Sequence, residues 1–159
     1  MNIYKYVNLD NDDILLEKII IDTTNYHSIN QENGNILLRK NKIINNIDDL
    51  KTIDFTKSNI IECTINNIPF YKLKYKSILE QIYNNINDGT IIIKKTKLNI
   101  KTIKKEDEGF YYLDNIGISI QGVDSNKCIY EICNQCINNN ITISLKIKLN
   151  NGTIINIII

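Results

Sequence analysis

The chain has 159 residues, 43% hydrophobic and 23% charged, with a formal net charge of +1. That length buries a full core without disulfides, and so small a net charge provides no global field to steer nucleic acid or an anionic membrane. Composition therefore makes disulfides unnecessary for a core and argues against a uniformly basic nucleic-acid binder.

The first 58 residues form a β-rich stretch. Ile3–Val7 alternates as an edge strand, Asn8–Asp13 is an acidic loop, and Ile14–Asp22 carries an isoleucine run that favours a strand. Asn33-Gly34, between Tyr26–Gln31 and Asn35–Lys40, is a hairpin signal. Asp48–Phe55 reads as a helical turn. No Pro/Ser/Gly-rich linker follows, so residues 1–58 are expected to pack as an extension on a core of residues 59–159.

The core begins with Asn59–Asn66, an apolar, β-branched strand. Pro69 suits the first turn of a helix. Tyr75, Ile78, Leu79, Ile82, Tyr83 and Ile86 fall at helical spacing on one face, and Asn87-Asp88-Gly89 ends that helix. Thr90–Ile103 is rich in β-branched residues and is expected as a long strand, followed by the polar turn Lys104–Gly109. Phe110–Gln121 resumes as strand with an interruption at Asp114-Asn115. Asp124 or Ser125 caps a second helix with Cys128, Ile129, Ile132, Cys133, Cys136 and Ile137 on its apolar face. Ile141–Leu149 alternates as a strand, Asn150-Asn151-Gly152 signals a hairpin, and Thr153–Ile159 is a final strand.

This order, βαββαβ, predicts an α+β fold. Its expected form is a ferredoxin-like core with a β-rich N-terminal extension and an extra C-terminal strand. Right-handed crossovers would put both helices on one face of a four-stranded sheet. The last strand has almost no polar side chain. Both of its faces are expected to be covered, one by the helices and the other by the extension or a second subunit.

Ile, Asn and Lys dominate, while Ala is absent and Arg occurs once. That usage points to an AT-rich genome such as that of a large DNA virus, a phage or a protist. The N-terminus lacks a cationic segment followed by an apolar core, and Ile154–Ile159 is too short for a membrane span. A soluble intracellular protein is the expectation, in the host cytoplasm or virion if viral.

Motifs for chemistry are sparse. Cys128-x4-Cys133-x2-Cys136 with Cys63 has the spacing of an iron–sulfur or zinc set. The cysteines interleave with isoleucines on one helix face, however, where a thiol serves as a small apolar group. No metal or cofactor is expected there. Asp10–Asp13 lacks the glycine and distal glutamate of a calcium loop. His27 is the only histidine and has no evident orienting partner. Without a phosphate loop or paired carboxylates, the chain is expected not to be an enzyme.

The basic feature is Lys94–Lys105. On a regular strand, alternation would set Lys95, Lys97, Lys101 and Lys105 on one face, able to hold a phosphate backbone. Such lysines also serve to blunt an exposed edge. Beside them, Glu108-Gly109-Phe110-Tyr111-Tyr112-Leu113 resembles the third-strand motif of RNA recognition motif domains. That resemblance implies base stacking on Phe110 and Tyr112. It covers about six residues, with Glu108 where a basic residue belongs, Tyr111 in place of a small one, and no partner aromatic in Ile60–Cys63. Two functional classes follow. The first is a non-enzymatic protein-interaction or assembly module, a viral accessory or virion component, with a protein partner or a second copy of itself. The alternative is a nucleic-acid-binding module using Lys95, Lys97, Lys101, Phe110 and Tyr112.

Overall fold

A computed structural model describes the backbone of residues 2–8, 14–20, 26–30, 36–86, 95–114, 116–122 and 124–159. The fold class is α+β. The chain divides into two compact units, 1–41 and 42–159.

In the first unit β1 (Asn2–Asn8) pairs antiparallel with β2 (Ile14–Ile20). β3 (Tyr26–Asn30) pairs antiparallel with β4 (Ile36–Lys40), Ser28 opposite Leu38. The strands flank the expected Asn33-Gly34 turn, which itself lies outside the described residues, as does the acidic loop 9–13.

The second unit starts before the expected boundary at Asn59. β5 (Lys42–Ile44) and a 3-10 helix (Ile47–Thr52) belong to it, and Ile44, Leu50 and Phe55 are core residues. Its main sheet has five strands in the order β5-β12-β11-β6-β7, with β6 Asn59–Ile65, β7 Ile68–Pro69, β11 Ile143–Lys148 and β12 Ile154–Ile158. β5 runs parallel to β12 and the other pairs are antiparallel. β11 alternates cleanly: Ile143, Leu145 and Ile147 face in, while Ser144 and Lys148 are exposed. A bulge in β6 opposite Lys146/Ile147 leaves Ile61 and Glu62 both exposed. Against the inner face lie α1 (Tyr75–Asn85) and α2 (Ser125–Asn138). Ile78, Leu79, Ile82 and Tyr83 of α1 join Ile129, Ile132, Cys133 and Cys136 of α2 in one core cluster with Cys63, Leu145 and Ile157.

The four-stranded sheet expected of a ferredoxin-like core is divided. β6 and β11 do pair, but β8 (Ile100–Lys101), β10 (Ile118–Gln121) and β9 (Phe110–Leu113) form a separate sheet in that order. The free edge of β6 is taken by β7. Asn66 and Asn67 both adopt positive φ (50° and 63°), the geometry of a tight hairpin, and return the chain onto Ile65. Pro69, expected in a helix, ends this edge strand because it has no N–H to continue a ladder. α1 starts only at Tyr75.

The long strand expected at Thr90–Ile103 is also absent from its described part. Lys95 has helical backbone, and only Ile100 and Lys101 pair with β10. The Leu98 N–H donates to Thr96 Oγ1 at 3.1 Å, a local bond that competes with extended pairing. Residues 90–94 lie outside the described set.

Three other expectations hold, whereas Ile137, expected on the apolar face of α2, is 48% exposed, and the expected stop at Asn87-Asp88-Gly89 lies outside the described residues. The break in 110–121 is a hairpin, with Gly117 at φ +72° and Leu113 opposite Ile118. The Asn150–Gly152 turn joins β11 to β12, with Leu149 N–H donating to Thr153 O. Asp124 is the cap of α2, accepting from Lys127 N–H at 2.9 Å, a bond that holds its carboxyl below the ordinary range. Asp124→Ala is expected to cost about 0.5–2 kcal/mol in urea unfolding, and an unchanged midpoint would show the cap to be idle.

Candidate functional site

The three-stranded sheet carries most of the residues that suggested nucleic acid. Cross-strand partners point to the same side of a sheet. Lys101 lies opposite Ser119, Ser119 opposite Tyr112, and Gln121 opposite Phe110. Lys101, Tyr112 and Phe110 therefore share one face. The opposite face, with Leu113, Ile118 and Ile120, belongs to the core. Lys95 and Lys97 stand apart on the chain leading into β8 rather than alternating along a strand. Lys97 Nζ sits 5.1 Å from the ring centroid of Tyr130 on α2.

The shared face is covered by its own loop. Ser119 Oγ accepts from Lys105 N–H at 2.8 Å and donates to Ile103 O at 2.9 Å, which ties residues 103–105 across the sheet. Lys105 Nζ then lies 5.1 Å from the Phe110 ring centre, and Lys104 Nζ lies 5.3 Å from that of Tyr112. Phe110 is only 7% exposed. Lys105 is also bonded to Glu108 at 2.6 Å, and that bond raises its pKa above the ordinary lysine value. The lysine nearest the aromatics is thus paired with an acid, and the rings are stacked on protein cations.

A second feature is the outer face of the five-stranded sheet, away from the helices. Its rows follow from the register. Ile43, Asn156, Lys146 and Glu62 lie side by side across β5, β12, β11 and β6. The next row holds Ile158, Ser144 and Thr64. Lys146 Nζ meets Glu62 Oε1 at 2.9 Å. Ile43 is 48% exposed and Ile158 is 52% exposed. The coverage expected on both faces of the last strand is complete only on the inner one, where Ile155 and Ile157 are buried.

The cysteines sit where a small apolar group belongs. Cys63 lies on the inner face of β6, and Cys128, Cys133 and Cys136 lie on the core side of α2, all as buried free thiols. Burial pushes Cys63 up to about 11 and Cys128 and Cys136 up to about 12. Among the described residues, no group of three or more His, Cys, Asp or Glu side chains is placed to hold a metal ion. His27 stands in β3 opposite Arg39.

Sequence reasoning passed over Glu131. It is buried on α2 and accepts from Tyr83 Oη at 3.0 Å and from Gln135 Nε2 at 2.8 Å. The available signal was a Glu–Gln pair at i, i+4 on the face that also carries Cys128 and Ile132. No described helix is long and apolar enough to cross a membrane. Comparison with protein-family models, with curated proteins and with solved structures finds no match for this chain.

Proposed function

We propose that the protein is a non-enzymatic assembly module that pairs with a second copy of itself through the outer face of the five-stranded sheet. The observation behind this reading is the half-exposed Ile43 and Ile158 beside the Lys146–Glu62 ion pair. Adjacent charges of opposite sign on one patch are self-complementary under a two-fold axis, because Lys146 of each copy can face Glu62 of the other. The flanking isoleucines would form the apolar part of the patch.

Sedimentation of the full chain tests this. The wild type is expected to be dimeric at about 100 µM, and a chain carrying Ile43→Lys and Ile158→Lys should be monomeric with the same far-UV spectrum. A wild type that stays monomeric at that concentration would end the reading.

Nucleic-acid binding is the second reading, favoured by the shared face of Lys101, Phe110 and Tyr112. It requires residues 103–105 to lift off the rings. Single-stranded RNA binding at low salt that vanishes in a Lys101→Glu, Tyr112→Ala chain would favour it over assembly.

A further inference from the structure

In the second unit an open groove of about 680 Å³ lies between the segment 50–54, residues 97–98 and α2. That volume is in the range of sites for organic ligands. Leu50, Ile53 and Leu98 give it apolar walls, with the half-buried Tyr130 among them. Glu131 also borders the groove, but its Oε2 is enclosed by protein and out of a ligand's reach.

The rim carries charges of both signs, and two of them have no ionic partner. Lys51 is paired with Asp48 at 2.7 Å and Lys127 with Asp124 at 3.6 Å. Lys97 makes no ion pair among the described residues, and its Nζ lies 5.1 Å from the ring centre of Tyr130. Asp54 is the anion of the rim. Its Oδ1 accepts from Thr56 N–H at 2.9 Å and from Asn126 Nδ2 at 3.2 Å. Hydrogen bonding by Thr56 and Asn126 holds the carboxyl below its ordinary range, so it is ionised, and it fixes the direction of the group. Both bonds land on Oδ1, and the residue remains exposed. Asp54 and Lys97 stand on different walls and form no ion pair with each other.

We infer that this groove binds a short apolar peptide with both termini free, about two to four residues long. Its α-ammonium would meet the Asp54 carboxylate, its terminal carboxylate would meet Lys97, and its side chains would cover Leu50, Ile53 and Leu98. Opposite charges on separate walls, with an apolar surface between them, select this class. A nucleotide or a fatty acid would bring its negative charge toward Asp54 and leave that carboxylate without a cation. A simple amine would leave Lys97 unused. A free amino acid has both charges but would leave most of the apolar wall bare. An internal segment of a protein brings neither terminal charge. The groove shares no residue with the outer sheet face, so the inference is independent of self-association.

The test is calorimetric titration of the full chain with trileucine, trivaline and Leu-Tyr-Leu. Free leucine and the N-acetylated and C-amidated forms of each peptide serve as controls. At least one free peptide is expected to bind with a Kd below about 1 mM, and more tightly than leucine. Acetylation and amidation should each weaken it about tenfold or more, the loss expected for one charge-assisted hydrogen bond. Asp54→Asn should weaken the free peptide by the same factor and leave the acetylated form unaffected. Lys97→Ala should weaken the free peptide and leave the amidated form unaffected. Both side chains are exposed, and Asn keeps an acceptor for Thr56, so both variants should retain the wild-type far-UV spectrum. Absence of saturable binding by all three free peptides at about 5 mM would overturn the inference. So would equal affinity for free and blocked peptides, or folded variants that bind as wild type does.

Discussion

A chain ending at Thr153 is expected to be insoluble or unfolded. β12 is an interior strand, hydrogen-bonded to β11 on one side and to β5 on the other. Its removal breaks two ladders and uncovers the inner face of Leu145 and Ile147, which are fully buried. Ile155 and Ile157 also vanish from the core, and burying each contributes about 1.5–3 kcal/mol. That loss, with the ladders, rivals the whole stability of a typical domain, about 5–15 kcal/mol. Point substitutions separate the two faces of the strand. Ile157→Ala, at 0% exposure, should cost about 2–5 kcal/mol in urea unfolding. Ile158→Ala, at 52% exposure, should change stability by no more than about 0.5 kcal/mol in a dilute, monomeric sample. Equal effects at the two positions would show that the outer face is as closed as the inner one. A soluble truncated chain with an unaltered melting temperature would remove β12 from the core altogether.

Alkaline unfolding should be steep and should begin near pH 9, where the thiols of an unfolded chain titrate. Cys128 and Cys136 are raised from an ordinary value of 9.0 to about 12, and Cys133 is raised further, each mainly by burial. A neutral thiol that holds its proton more tightly in the fold than in the unfolded chain adds stability below pH 9. That stability is lost as pH rises toward the folded values. Between those limits each thiol subtracts about 1.4 kcal/mol per pH unit, and the three on α2 together about 4 kcal/mol. A stability of about 5–10 kcal/mol would then be exhausted near pH 10–11.5. Circular dichroism against pH reads this directly, and Cys136→Ala should make the decline shallower. The same burial predicts that at pH 8 the native thiols react with iodoacetamide only through unfolding. A fold intact at pH 12, or fast labelling of the native chain, would place the thiols at the surface and contradict the packing.

Both results rest on features already visible in the one-dimensional pattern. Apolar residues at helical spacing identified α1 and α2, and the Cys–Ile interleaving put the thiols on the core side of α2. Asp124 was recognisable as a cap, and Asn150–Gly152 as a turn. Each of these depends on neighbours within a few residues, where local stereochemistry is decisive. The reading of Lys95–Ile103, the described part of that expected strand, went astray because β-branched composition expresses fit to a half-buried pleated surface, and that surface is supplied by other parts of the chain. Here β10 offers a partner only at Ile100 and Lys101, and Thr96 turns the backbone elsewhere. The lysine face lost its regular alternation with the strand.

The candidate sites were legible to different depths. Lys101, Phe110 and Tyr112 do share a face, as strand parity requires, but the loop covering them could not be read from parity. Ser119, unremarkable in the sequence, ties that loop down. The outer patch joins Ile43 to Ile158, residues more than a hundred positions apart, through a parallel pairing that no local signal encodes. Glu131 looked like one more polar residue on a helix until Tyr83, 48 positions away, was seen to donate to it. The elements and their buried faces follow from short-range periodicity, because backbone geometry repeats every two or 3.6 residues. Which strands become neighbours, which lysines are covered and which carboxylate is buried depend on contacts between distant segments. The free energy of those contacts belongs to the assembled core and to no single stretch of the chain.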